Sequence, residues 1–153
     1  MPIPKNIISS VTAIPDTFIR AIEGEWIETT PGMAWLKILW TGPESGGWAV
    51  LFRWKKGHVA QPHKHLSASH SYILSGALKA RDVIFCAGDY VYEPNGVLHD
   101  ATEAIEDSEY IFISNGPLLY FEDEKISGYF SWEELERMRR TVSSAVGLGA
   151  HAA

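Results

Sequence analysis

From Pro31 to Pro117 the chain is interrupted by a turn signal every few residues, and this spacing leaves room only for short extended segments. The breaks fall at Pro31-Gly32, Gly42-Pro43, Gly46-Gly47, Gly57, Gly76, Gly88, Pro94-Asn95-Gly96 and Gly116-Pro117. Between them lie runs rich in Trp, Tyr, Phe, Val and Ile: Ala34 to Trp40, Trp48 to Trp54, His70 to Leu74, Val83 to Phe85, Tyr90 to Glu93 and Tyr110 to Ser114. Closely spaced strands of this kind predict an all-β sandwich or barrel.

Residues 48, 50, 52 and 54 are all apolar, so Trp48, Val50, Phe52 and Trp54 share one face of their strand. The expected interior is Val50, Phe52, Trp54, Tyr72, Leu74 and Phe112, with Ala49, Leu51 and Arg53 on the opposite face. A helical pattern is found only near the end. Ser131 can cap a helix over about 131–140, with Glu134 at the capping-box position, acidic residues in its first turn and basic residues in its last. The small residues and glycines of 142–153 predict a flexible tail after one domain spanning 1–141.

The charge balance is 13 basic against 19 acidic residues, a net of −6 with no long basic run, which argues against a nucleic-acid partner. Cys86 is the only cysteine, which rules out an intrachain disulfide, and it is expected to be a small buried hydrophobe. No stretch approaches the roughly 18 apolar residues of a membrane span. The start MPIPKNIISS also lacks the pattern of a secretory signal. A soluble, cytoplasmic protein is expected.

Five of the six histidines lie between residues 58 and 99. His63 and His65 are two apart, so on an extended segment both imidazoles project from one face, as two ligands of one metal must. His99 follows the turn Pro94-Asn95-Gly96-Val97-Leu98, which can bring a neighbouring strand alongside and aim a third imidazole at the same point. His58 and His151 are expected to be solvated.

These positions resemble the two motifs of the cupin superfamily. Gly57, His63, His65 and Gly76 fit the first, G-x5-H-x-H-x(3,4)-E-x(5,6)-G, over 57–76. Gly88, Pro94, Gly96 and His99 fit the second, G-x5-P-x-G-x2-H-x3-N, over 88–103. In this alignment His70 stands at the glutamate position of the first motif and Glu103 at the asparagine position of the second. From about Trp26 to Leu135 the chain is similar to bacterial cupins typified by 2,4'-dihydroxyacetophenone dioxygenase and, more distantly, by acetylacetone-cleaving β-diketone dioxygenase. The carrying phrases are Gly42 to Trp48, Pro62 to His65 with His70-Ser71-Tyr72, Tyr90 to Pro94, and Asn115-Gly116-Pro117. The resemblance implies a jelly-roll β-barrel with a short C-terminal helix. It also implies one Fe(II) held by His63, His65 and His99, O2 as co-substrate, and cleavage of a carbon–carbon bond beside a ketone.

Imidazole alone does not select iron, since Zn, Ni, Cu and Mn are also accommodated by such ligands. Three neutral ligands leave a dication its full charge and open positions, which suits an anionic enolate substrate. His70 has two readings: a fourth ligand, or a proton carrier at the substrate. Glu93, with His70, is assigned to proton transfer, and Phe52, Trp54, Tyr72, Tyr90 and Tyr92 to the substrate pocket. The alternatives are a non-catalytic zinc-binding sensory cupin, as in some anti-sigma factors, and a metal-dependent isomerase or epimerase. A homodimer or larger homo-oligomer is expected through exposed strand edges.

Overall fold

The structure, a computed structural model, describes residues 16–149. The MPIPKNIISS segment and His151 lie outside the described residues. The chain runs through β1 (Ile27–Thr30), β2 (Ala34–Thr41), β3 (Trp48–Trp54), β4 (Val59–Ala60), β5 (His63–His65), β6 (Ser69–Ser75) and β7 (Ala77–Ala80). It continues through β8 (Val83–Cys86), β9 (Tyr90–Glu93), β10 (Leu98–His99), β11 (Thr102–Ala104), β12 (Ser108–Ser114), β13 (Leu118–Glu122), β14 (Lys125–Phe130) and α1 (Trp132–Gly149).

All ladders are antiparallel and form three sheets, ordered β1-β2-β3-β12-β6-β9, β10-β5-β13-β14 and β4-β11-β7-β8. The inner face of the six-stranded sheet supplies Leu36, Trp48, Val50, Ile73, Tyr110 and Phe112 to one buried cluster. The two smaller sheets contribute Leu118, Leu78 and Ala104 to the same cluster, and the helix contributes Leu135. Each large apolar side chain fully removed from water contributes about 1.5–3 kcal/mol. Trp48 is the largest of them: fully buried, with ring centroids 5.3 Å from both Phe112 and Phe130, and its Nε1–H donates to the Gly116 carbonyl at 2.9 Å.

Burial alternates along β3 as the periodicity predicts. Trp48, Val50 and Trp54 are buried, while Arg53 faces outward, ion-paired to Glu109 at 2.6 Å and stacked over Trp26. In β6 the phase is the reverse of expectation. Ser69 and Ile73 are buried, whereas Tyr72 and Leu74 are 46% and 44% exposed and so do not line the interior. Cys86 is exposed at the end of the short strand β8, not buried.

The helix also differs from expectation. It runs past Arg140 to Gly149, through residues read as tail. No proline interrupts it, and Thr141 and Ser143 satisfy their hydroxyls within it by donating to the carbonyls of Arg137 and Arg139. Ser131 caps it by accepting from the Glu133 N–H at 3.1 Å. Glu133, not Glu134, takes the Ser131 hydroxyl, at 2.6 Å. Among the described residues no helix is long and apolar enough to cross a membrane.

Candidate metal centre

β5 is three residues long and lies between β10 and β13, with His99 directly opposite His63 and Leu118 opposite His65. The two-residue spacing puts His63 and His65 on one face, and the β10 pairing adds His99 from the side. The turn before β10 is locked to β5, because Gly96 N–H donates to the His65 carbonyl and His65 N–H to the Val97 carbonyl, both at 2.8 Å. Gly96 has φ +89, a conformation that favours glycine. The three ring centroids lie 5.2, 4.9 and 5.0 Å apart, and their candidate ligand atoms all fall within 4.8 Å of one another.

The hydrogen bonds around the rings decide which nitrogen carries a lone pair. His63 Nδ1 lies 2.8 Å from the Gln61 carbonyl, which only accepts, so the proton is on Nδ1 and Nε2 is free to ligate. Ser69 Oγ donates to Glu93 Oε2 at 3.1 Å and must therefore accept from His65 Nδ1, 2.9 Å away. His65 Nε2 is then an unprotonated, buried atom without a hydrogen-bond partner, and His99 Nδ1 is a second buried orphan. A buried imidazole nitrogen left unpaired is costly unless something binds it. This donor set fits a divalent metal.

Glu93 completes the cluster from β9. It sits opposite Ser69 in the β6–β9 ladder, with Oε1 2.5 Å from His99 Nε2 and Oε2 3.7 Å from His65 Nε2. Burial alone would raise its carboxyl, but the hydrogen bond and charge of His99, with His65 and Ser69, hold it below the ordinary value. Burial lowers His65 to about 4 and also depresses His63, so both are neutral near pH 7 in the metal-free protein. Beside Glu93 and His63 lies a cavity of about 70 Å³ whose other walls include Trp54, Ile73, Phe85 and Tyr110.

His70 is not part of the cluster. It projects from the outer face of β6, where its Nδ1 meets the Tyr90 hydroxyl at 2.6 Å and its ring lies 5.3 Å from Tyr92. Tyr72, Tyr90 and Tyr92 share that outer face, at 46%, 60% and 55% exposure, and so do not wall the interior pocket expected of them. Of the expected pocket residues, Phe52 and Trp54 do pack on the core side and line cavities. The motif spacing admits position 69 or 70 after His65, and β6 turns position 69 inward. Ser69, missed in the sequence, therefore holds the inward place, and the carboxylate comes from Glu93 across the ladder. His58 is not simply solvated, since its ring packs edge-on against Trp54 at 4.6 Å.

Residues 15–119 match the family model described as the ChrR cupin-like domain. The chain is 24% identical over 112 residues to the acetylacetone-cleaving enzyme of Acinetobacter johnsonii, covering 69% of this chain and 72% of that protein. The crystal structure of an acetylacetone dioxygenase from the same organism superposes with a TM-score of 0.76 at 18% identity, over 83% of this chain and 93% of that one. A chain of the Rhodobacter sphaeroides SigE complex with the anti-sigma ChrR matches at TM-score 0.53 and 25% identity, over 62% of this chain and 51% of that one. With three sheets around one core and two histidine-bearing motifs in register, the chain belongs to the ChrR cupin-like family.

Proposed function

We propose that this protein is a mononuclear non-haem Fe(II) dioxygenase that cleaves a carbon–carbon bond beside a ketone, acting on a β-diketone or hydroxyketone with O2. The observation that carries the reading is the set of three converging imidazoles, two of them presenting lone pairs inward through fixed Nδ1 partners. Similarity to the acetylacetone-cleaving enzyme supports the reaction class. His63, His65 and His99 would hold the ion, and iron bound there would supply open positions for an enolate and O2 and a route for electrons between them.

The chain's own residues do the rest. Gln61 and Ser69 fix ring orientation. Glu93, kept ionised by its histidine neighbours, takes the proton released when the ketone becomes its enolate, and its Oε1 and Oε2 are the atoms that hold it. The walls around Glu93 are largely apolar and leave its side chain 17% exposed.

Iron-loaded protein mixed with acetylacetone or a hydroxyacetophenone without air should develop a visible charge-transfer band. Admitting O2 should bleach it while two carbonyl or carboxylate fragments form. Binding without any O2 uptake across such a panel rejects the dioxygenase. The carboxylate between His65 and His99 also favours a second reading, a zinc-binding sensory site closed by four protein ligands. Glu93→Gln separates the two: retained metal with turnover slowed about 10²–10⁴-fold supports proton transfer, and lost metal supports the closed site.

A further inference from the structure

The outer face of the six-stranded sheet is covered over one half and open over the other. Over β2 and β3, the Arg53 guanidinium lies 3.9 Å from the Trp26 ring and Lys37 Nζ donates to the Ala21 carbonyl at 3.2 Å, so residues 21–26 lie across that half. Over β12, β6 and β9 two cross-strand rows stand open. The ladder register aligns Ile111, Tyr72 and Tyr90 in the first and Ile113, His70 and Tyr92 in the second. Neither row contains Asp, Glu, Lys or Arg, although such residues make up 21% of the chain. The three tyrosines are about half exposed, and Ile113 is exposed beside them.

An aromatic side chain can bury roughly 150–250 Å², so three half-exposed tyrosines leave about 300 Å² of such surface in water. Ile113 and Leu74 enlarge it, which brings the face to the size of the largest apolar patch usual on a monomer, about 300–600 Å². A stable interface takes about 800 Å² from each partner, so the open rows supply its apolar centre and their surroundings the remainder. Tyrosine is enriched, and charge depleted, where binding energy concentrates in such interfaces. The contact of His70 Nδ1 with the Tyr90 hydroxyl at 2.6 Å fixes both rings before any partner arrives.

Charge selects the partner. The chain carries a net −6, so two copies repel where their ordinary surfaces meet, and that repulsion is least at a face without charged groups. A partner chosen for opposite charge finds nothing to pair with there. Antiparallel sheet faces also stack on one another at about 10 Å, as in sandwiches. We propose that two copies of this chain associate about a two-fold axis, the outer face of β12, β6 and β9 in one packed on the same face of the other. Tyr72, Tyr90 and Tyr92 form the centre of the contact and His70 is enclosed among them. The contact is a sheet face, not the strand edges that the sequence suggests, and it does not depend on the reaction at the metal centre.

Sedimentation of the full chain across a range of micromolar concentrations should show a species of twice the 17.0 kDa chain mass. Tyr92→Glu puts like charges on both faces and should weaken association by about 30-fold or more, the effect of losing one hot-spot side chain. Ile126→Glu, on the exposed edge strand β14, should leave association unchanged. If Tyr92→Glu fails to fold, hydroxyl-radical footprinting of the unaltered chain reads the same face. Labelling of Tyr72, Tyr90 and Tyr92 should fall several-fold as the dimer forms, while Tyr129 on β14, also exposed, stays equally reactive. A single-chain species at every concentration overturns the proposal. So does a dimer that survives Tyr92→Glu, or one in which the three tyrosines remain as reactive as in the monomer. Loss of the dimer in Ile126→Glu but not in Tyr92→Glu overturns it too, by moving the contact to the strand edge.

Discussion

Ser69 and Glu93 face one another across the β6–β9 ladder, and the Ser69 hydroxyl donates to Glu93 Oε2 at 3.1 Å while accepting from His65 Nδ1. The serine is a switchboard of one oxygen: it sets the tautomer of a candidate ligand and holds the carboxylate beside two others. Ser69→Ala should therefore weaken metal binding by about 10–100-fold, as loss of such supporting contacts does elsewhere. It should cost about 1–2 kcal/mol of stability, because the His65 N–H is left buried without an acceptor. Competition against a chromophoric chelator and a denaturant titration measure the two effects separately.

His70→Gln should leave metal affinity unchanged. The ring points to the outer face and spends its hydrogen bond on the Tyr90 hydroxyl. Metal analysis of the purified variant decides this, and loss of the ion would mean that β6 sits one residue out of the phase described.

Acid should destabilise the metal-free protein well before it titrates ordinary carboxylates. His65 is lowered to about 4 and His63 lies below 6.5. As pH drops below 6.5 the unfolded chain binds protons that the folded one refuses, so stability falls with falling pH, by at most about 1.4 kcal/mol per unit for each histidine. The depressed Glu93 carboxyl acts in the same sense below its unfolded value, since its contribution disappears once it is protonated. Thermal melts of chelator-treated protein should show a plateau above pH 6.5 and a decline from there toward pH 4.

Gly76→Ala should be among the most damaging single-methyl changes. Gly76 has φ +74, and a Cβ there would lie 2.1 Å from the Asp107 carbonyl oxygen, a backbone atom with no freedom to retreat. The left-handed conformation alone costs about 1–2 kcal/mol in an alanine, and relieving the clash must shift the β6–β7 corner against β12. A urea midpoint within error of the parent would show that this corner is looser than the structure indicates.

Some of this architecture was legible before any fold was known. The alternation of Trp48, Val50 and Trp54 specified the buried face of β3, since nothing but a strand satisfies that period. The spacing of His63 and His65 placed two imidazoles on one face for the same reason. The hairpin joining β13 to β14 was not legible: Asp123 and Glu124 adopt φ of 48° and 62° without a glycine to announce the turn. Nor was the phase of β6. One face of β6 carries Tyr72 and Leu74 and the other Ser69, Ser71 and Ile73, so two large side chains against one send the first face inward on local hydrophobicity.

That choice was made by tertiary structure. The interior beside β5 is polar, because three imidazoles and Glu93 converge there, and an inward Ser69 satisfies His65 and Glu93 where an apolar side chain would leave them unpaired. The ladder with β12 carries a register shift between Glu109 and Tyr110, which further sets the phase of β6 from outside its own sequence. Sequence alone was enough to announce β2, β3, β6, β8, β9 and β12, though not β1, β7, β13 or β14, together with the paired histidines and the turn before His99. Only the assembled sheets decided that Ser69 and Glu93, not His70, stand beside them, because side-chain facing within a strand is resolved by what lies across from it.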